Sequence, residues 1–559
     1  MSTDIVFEAH QLRVSAPQSD GSELEIVKGV DFQVPKGKVV ALIGESGSGK
    51  TTISLSALGY CKPGLKFSGG QARLLGQDLC RKTTAELRPL RGRKVAYLAQ
   101  SAAATFNPSI KINEQVVEAS VTRNLLSRQE ADARALELYK SLDLPNPETI
   151  GDRYPHQVSG GQLQRLMAAM ALCGKPDLLV LDEPTTALDV TTQIEVLKAF
   201  KKVIHEEGAA AIYVSHDLAV VAQIADYIVV LYGGEVMERG PVDAIINNPK
   251  HSYTKRLMAA AKPWSADTVA DVTQGSTKKT EDVATMLDVS AGYGKAWNGK
   301  PAVNVLENID FSVPKRSTVG VIGESGSGKS TLARVYAGLL PPSEGALLLD
   351  GRELEPSYRR RSIEQLRKIQ FVYQMADTAL NPRQRVGDII GRPLEFYLGL
   401  KGKDKRARVD ELLRLVDLTP EFASRHPDAL SGGQKQRVNL ARSLAAEPEV
   451  ILCDEVTSAL DTIVGGNVIE LLKRLQREIG VSIVFISHDL STVASLASDI
   501  VVMNSGRIVE NGPTRQILKD PQHPYTKLLI RSVPEMRIGW LEDTVTARSM
   551  QSAPLVPQG

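Results

Sequence analysis

Nine residues, GESGSGKTT (44–52), return almost unchanged as GESGSGKST (323–331), an offset of 279 positions. Both fit G-x-x-x-x-G-K-[ST], a pattern whose residue types suit one task, the holding of phosphate. Gly44, Gly47 and Gly49 keep the chain bare so that backbone N–H groups can approach phosphate oxygens, and Gly323, Gly326 and Gly328 repeat them. Lys50 and Lys329 supply a point charge, and the hydroxyls of Thr51 and Ser330 suit a magnesium ion. Ser46, Ser48 and Thr52, with Ser325, Ser327 and Thr331, complete the candidate phosphate-binding set. Further along stand LLVLDEPTTALD (178–189) and VILCDEVTSALD (450–461). At the end of each apolar run, Asp182 or Asp454 suits the metal, and Glu183 or Glu455 suits a base that polarises water. His216 and His488 each follow a serine after another apolar run, and their recurrence with Asp217 and Asp489 reads as a sensor of the terminal phosphate. Gln100 and Gln374 close the runs YLAQ and FVYQ, within reach of metal or water.

The elements that must position these residues repeat with them. Gly160 to Gly432, Asp182 to Asp454 and His216 to His488 share one offset of 272, so the halves keep a single spacing from SGGQ to histidine. The larger offset at the glycine loop places extra residues in the first half before SGGQ. This is a duplicated unit. In each, a strand such as KVVALI (38–43) leads into the loop and a helix. Short, wholly apolar runs such as LLVL (178–181) and AAIYV (210–214) suit parallel strands buried on both faces, giving an α/β core. Stretches 101–157 and 375–429 read as inserted helical subdomains. The expected boundaries are a first domain at 1–262, a linker at 263–284, a second domain at 285–535 and a disordered tail at 536–559.

Composition bounds the remainder. The chain has 559 residues, with 67 Lys and Arg against 65 Asp and Glu, a net charge of +2. That balance argues against a dedicated nucleic-acid binder. No apolar run approaches the roughly 18 residues of a membrane span, and MSTDIVFEAH is no secretory leader, so a cytosolic protein is expected. Four cysteines without metal-ligand spacing fit a reducing compartment.

The combination of both loops, both Asp-Glu pairs, both histidines, VSGGQLQR (158–165) and LSGGQKQR (430–437) resembles the ATP-binding cassette family over nearly the whole chain. The resemblance implies two tandem P-loop NTPase domains, each with a RecA-like core, an antiparallel β lobe and a helical subdomain. It implies ATP with Mg²⁺, sandwiched between cassettes. Ser431, Gly432, Gly433 and Gln434 would then complete the site built on Lys50. Ser159, Gly160, Gly161 and Gln162 would complete the site built on Lys329. An aromatic residue normally stacks on adenine; Tyr293 is the candidate in the second unit, whereas the first has no aromatic residue between Phe7 and Phe32. Val456 stands where the family usually has proline, with little expected consequence.

Two further pairs narrow the branch. FNPSIKINEQVVE (106–118) and LNPRQRVGDIIGRPL (380–394) follow the glutamines, and NPKHSYTKRLM (248–258) and DPQHPYTKLLI (520–530) close the units. They resemble the ATPases of oligopeptide, dipeptide and nickel importers. That implies two integral-membrane permease subunits, an extracytoplasmic substrate-binding protein, and a place on the cytoplasmic face of the cell membrane. A peptide cargo is expected, with a modified peptide, glutathione or nickel left open. Some relatives carry an iron–sulfur segment after the first cassette; with no cysteine between Cys173 and Cys453, no cluster is expected. The alternative is a soluble twin-cassette translation factor that binds ribosomes. That branch has a long charged linker and NHLD where this chain has TALD and SALD.

Overall fold

A computed structural model describes residues 4–18, 21–185, 188–261, 281–294 and 301–552, with side chains to 547. The described residues fall into two units, one from Met1–Lys262 together with Pro534–Gly559, the other from Pro263–Val533. Nearly all of the expected linker lies outside the described residues.

In the first unit the strands are β1 (Ile5–Pro17), β2 (Glu23–Pro35), β3 (Val39–Gly44), β4 (Lys66–Leu74), β5 (Gln77–Asp78), β6 (Val95–Leu98), β7 (Leu178–Asp182), β8 (Ala210–Val214), β9 (Tyr227–Tyr232) and β10 (Glu235–Pro241). Antiparallel β2-β1-β4-β5 form one lobe. The second sheet runs β10-β9-β3-β8-β7-β6, parallel except for the β9–β10 hairpin. Every residue of β3, β7 and β8 is buried, as strands covered on both faces require. Between the sheets lies a core in which Phe7, Leu12 and Phe32 meet Leu42, Val180 and Ile212. The second unit repeats the plan with β11 (Asp282–Tyr293), β12 (Val303–Pro314), β13 (Thr318–Ile322), β14 (Glu344–Leu349), β15 (Arg352–Glu353), β16 (Ile369–Val372), β17 (Val450–Asp454), β18 (Ser482–Ile486), β19 (Asp499–Asn504) and β20 (Arg507–Pro513). Its sheets run β12-β11-β14-β15 and β16-β17-β18-β13-β19-β20.

The stretches read as helical subdomains are helical. Helices Ile112–Thr122 and Arg128–Ser141 precede Gly160–Leu172, and Val386–Leu398 and Gly402–Leu415 precede Gly432–Leu444. The tail differs from expectation. Within the stretch expected to be disordered, residues Trp540–Ser552 form a helix, and 553–559 lie outside the described residues. Trp540 and Leu541 are buried, and Gln223 holds the segment by donating to the Glu535 and Arg537 carbonyls and accepting from the Leu541 N–H. Two apolar side chains and one buried amide supply what the tail's polar composition hides. No helix among the described residues is long and apolar enough to cross a membrane.

Candidate functional site

At the end of β3 the chain turns through Gly44 at φ 146°, where an added Cβ would lie 2.0 Å from the Leu231 carbonyl oxygen. Gly323 repeats this at φ 150°, 2.2 Å from the Met503 carbonyl oxygen, so only glycine fits either turn. The loops feed helices Lys50–Ser56 and Lys329–Tyr336, whose N-caps, Gly49 and Gly328, offer no side-chain acceptor. Other helix starts, at Ser127, Ser159 and Asp189, do have one. The first N–H groups of the loop helices therefore carry no side-chain cap, a setting for an anion.

The buried Lys50 ammonium donates to the Gly44 and Glu45 carbonyls at 2.7 and 2.8 Å, and Lys329 to Gly323 and Glu324 at 2.9 and 2.7 Å. Beside them the buried hydroxyls of Ser48 and Ser327 have no hydrogen-bond partner among the described residues. An unpartnered hydroxyl, a confined ammonium and uncapped helix starts together fit a polyphosphate.

The hydroxyl of Thr51 donates to Asp182 Oδ1 at 3.2 Å, and Ser330 to Asp454 Oδ1 at 2.8 Å. This hard-oxygen pair fits Mg²⁺, which takes few protein ligands and completes its shell with phosphate and water. Burial, helped by the neighbouring Glu183 or Glu455, holds both aspartic acids above the usual carboxylate range. Sequence reasoning missed Tyr97, whose hydroxyl donates to Asp182 Oδ2 at 3.0 Å. Phe371 holds the matching place in FVYQ and has no hydroxyl, so the aspartates differ in support.

Glu183 and Glu455 occupy the left-handed region, at φ 50° and 49°. Such backbone costs about 1–2 kcal/mol for a residue other than glycine. It turns each carboxylate between two partners. His216 Nδ1 lies 3.1 Å from Glu183 Oε1, and Gln100 Nε2 donates to Oε2 at 3.1 Å. In the second unit, His488 Nδ1 lies 3.4 Å from Glu455 Oε1 and Gln374 donates to Oε2 at 2.7 Å. The glutamines therefore meet the glutamates, not the aspartates. Burial alone would lower the His216 imidazole, but Glu183 outweighs it and the net shift is upward. Glu455 likewise raises His488. Burial alone would raise the Glu455 carboxyl, yet His488 and Lys329 hold it below its usual range.

Tyr293 reaches the second loop: its hydroxyl lies 3.3 Å from Thr331 Oγ1 and accepts from Arg334 at 3.3 Å. Counting five residues from the left-handed Gln11 and Asp288, Ala16 stands where Tyr293 stands. The sheet register agrees, pairing Ala16 with Leu24 and Tyr293 with Val303.

Ser159 and Ser431 cap the SGGQ helices. Their hydroxyls accept from Gln162 N and Gln434 N, whose side chains accept from the serine N–H in return. Ser159, Gly160, Ser431 and Gly432 are exposed. Gly161 and Gly433 face inward, where a Cβ would meet Thr192 at 2.1 Å or Val464 at 2.3 Å. Among the described residues, no hydrogen bond joins either SGGQ to the glycine loop of its own unit.

A duplicated P-loop ATPase is the class that this fold and this set of residues define. Residues 27–186 and 306–458 match the family model described as ABC transporter. Residues 237–284 and 509–558 match the one described as Oligopeptide/dipeptide transporter, C-terminal region. The chain is 36% identical over 552 residues to the glutathione import ATP-binding protein GsiA of Escherichia coli (strain K12), covering 92% of this chain and 87% of that one. The same figures hold for GsiA of Shigella sonnei (strain Ss046); GsiA of Salmonella choleraesuis (strain SC-B67) is 35% identical over 544 residues, with the same coverage. The chain belongs to the ABC transporter family, as a two-cassette ATP-hydrolysing subunit of the oligopeptide, dipeptide and nickel importer branch.

Proposed function

We propose that this chain energises import of a di- or oligopeptide, or of a small modified peptide such as glutathione. It works at the cytoplasmic face of the cell membrane beneath two integral-membrane permease subunits, fed by an extracytoplasmic binding protein. The importer-type C-terminal region found in both units and the glutathione-import role for which the GsiA relatives are named support this reading.

For the chemistry, the carrying observation is that the Gln–Glu–His arrangement is intact in both units. Both sites hydrolyse ATP in this reading. Lys50 and Lys329 leave their loop carbonyls for phosphate oxygens. Thr51 with Asp182, and Ser330 with Asp454, hold Mg²⁺, which neutralises phosphate charge when bound. Glu183 and Glu455 take a proton from the attacking water, oriented by Gln100 and Gln374, while His216 and His488 follow the terminal phosphate. Ser431–Gln434 complete the Lys50 site, and Ser159–Gln162 the Lys329 site. Each capping serine accepts with its oxygen and keeps its own proton to donate to phosphate.

A Glu183→Gln, Glu455→Gln double variant is expected to bind ATP and stall; near-normal turnover would remove both glutamates from the base role. Affinity capture from detergent-solubilised membranes is expected to recover two multi-span permeases. Recovery of ribosomal proteins without a permease would favour the translation-factor alternative.

A further inference from the structure

The HSYT and HPYT segments are more than markers of a branch. Helix Ser252–Ala260 begins at His251, whose Nδ1 accepts the Tyr253 N–H at 3.2 Å. The turn before it is pinned by Glu238 of β10, whose carboxylate accepts the N–H groups of Lys250 and His251 at 2.9 and 3.0 Å. The buried Tyr253 then crosses to the glycine loop, where its hydroxyl oxygen accepts the N–H of Glu45 at 3.2 Å. The second unit builds the same circuit: Glu510 of β20 accepts from Gln522 and His523, His523 Nδ1 accepts from Tyr525 N, and Tyr525 accepts from Glu324 N at 2.9 Å.

Glu45 and Glu324 are the second residues of the two loops. The carbonyl of each is held by the loop lysine, and the N–H of each by the tyrosine. The lysine bond is the one that phosphate must break. The tyrosine bond has an anchor independent of the lysine, running through β10 or β20 and the next strand to β3 or β13. β3 pairs with β9 as far as Gly44–Leu231, and β13 pairs with β19. The rings differ in their surroundings: Tyr253 packs on Tyr232 with centroids 4.6 Å apart, and the matching residue in the second unit is Asn504. The shared feature is the hydroxyl.

We propose that Tyr253 and Tyr525 are positioning residues of the two ATP sites. Each fixes the entry turn of its glycine loop so that the loop is already shaped for phosphate when the lysine lets go. This rests on the reading of both loops as ATP sites, and it deepens that reading by joining the C-terminal region of each unit to nucleotide affinity. Pre-organisation of this kind acts on binding, because the loop's ordering cost is met before the ligand arrives.

The test is Tyr253→Phe, Tyr525→Phe and the double variant in the full chain. Binding of a fluorescent methylanthraniloyl-ATP would be measured with and without Mg²⁺, alongside steady-state ATPase and thermal unfolding. The double variant is expected to raise the analogue's Kd and the KM for ATP about fivefold, the loss set by one hydrogen bond. The value of kcat at saturating ATP should stay within about twofold. Phenylalanine keeps the ring, so folding should survive, and His251→Asn with His523→Asn, which loosens the tyrosine while keeping a helix cap, should shift Kd in the same direction. An unchanged Kd in the double variant would overturn the proposal, and so would a lowered melting temperature with unchanged Kd. If the unaltered chain failed to bind the analogue, the assignment of the loops to ATP would fall instead.

Discussion

Tyr97 and Phe371 make the Asp182 and Asp454 supports unequal, and the difference is one hydroxyl. A buried carboxylate that loses a donor loses a hydrogen bond to a charged group, about 1.5–3 kcal/mol. Tyr97→Phe should therefore lower the stability of the first unit by about that amount in chemical denaturation, whereas Phe371→Tyr should be neutral or stabilising. An unaffected Tyr97→Phe variant would mean that water replaces the hydroxyl. The histidine–glutamate pairs carry a pH signature. His488 is raised by Glu455, so its contribution is complete below the ordinary histidine value and fades as pH rises through the raised one. Glu455 is lowered, so its contribution is present above its unfolded value and lost as pH falls through the folded one. The pair thus stabilises the chain from above the lowered carboxylate pKa up to the raised imidazole pKa. The melting deficit of a His488→Gln variant should be largest near about pH 6 and shrink toward alkaline pH. A pH-independent deficit would trace the loss to packing instead.

At the scale of elements, the SGGQ helices have a capping task and a proposed nucleotide-binding task, which substitution can separate. Ser431 caps its helix by accepting from Gln434 N, and the proposed nucleotide contact uses the hydroxyl proton. Aspartate caps about as well as serine but has no proton to give and carries charge. Ser431→Asp should leave thermal stability within about 0.5 kcal/mol while lowering ATPase activity at least about tenfold. Equal losses in Ser431→Asp and Ser431→Ala, tracking stability, would reduce the serine to a cap. Much at this scale was legible in advance. β7 and β8 stand where LLVL and AAIYV placed them, because a strand buried on both faces leaves a wholly apolar run. The residues that hold the site in shape were not legible. Tyr97 meets Asp182 across 85 positions and Tyr253 meets Glu45 across 208, and no local pattern records such pairings. The left-handed turn at Glu183 was hidden too, since a glutamate there departs from the residue types that usually mark it.

At the scale of the whole chain, duplication is imperfect where the last segment packs onto the first unit. Gln223, held by three hydrogen bonds to residues 535–541, lies in helix Leu218–Ile224, which begins immediately after His216 and Asp217. The matching position in the second unit is Ser495, whose hydroxyl, among the described residues, bonds within its own helix to the Thr492 carbonyl. Lys201 adds a bond to the Gln223 carbonyl and an ion pair with Glu542. Two buried apolar side chains at about 1.5–3 kcal/mol each outweigh that exposed pair, whose worth is about 1 kcal/mol or less. Truncation after Val533 should therefore destabilise the first unit and leave the second nearly unchanged. Hydrogen exchange would resolve the two: amides of 218–224 should exchange faster in the truncated chain, while those of 490–496 keep their protection. The charge-removing Glu542→Gln should reproduce little of the effect, and Leu541→Asp most of it. Equal acceleration in both helices would mean that the tail supports the chain as a whole. No acceleration in 218–224 would mean that Gln223 finds other partners when the tail is gone.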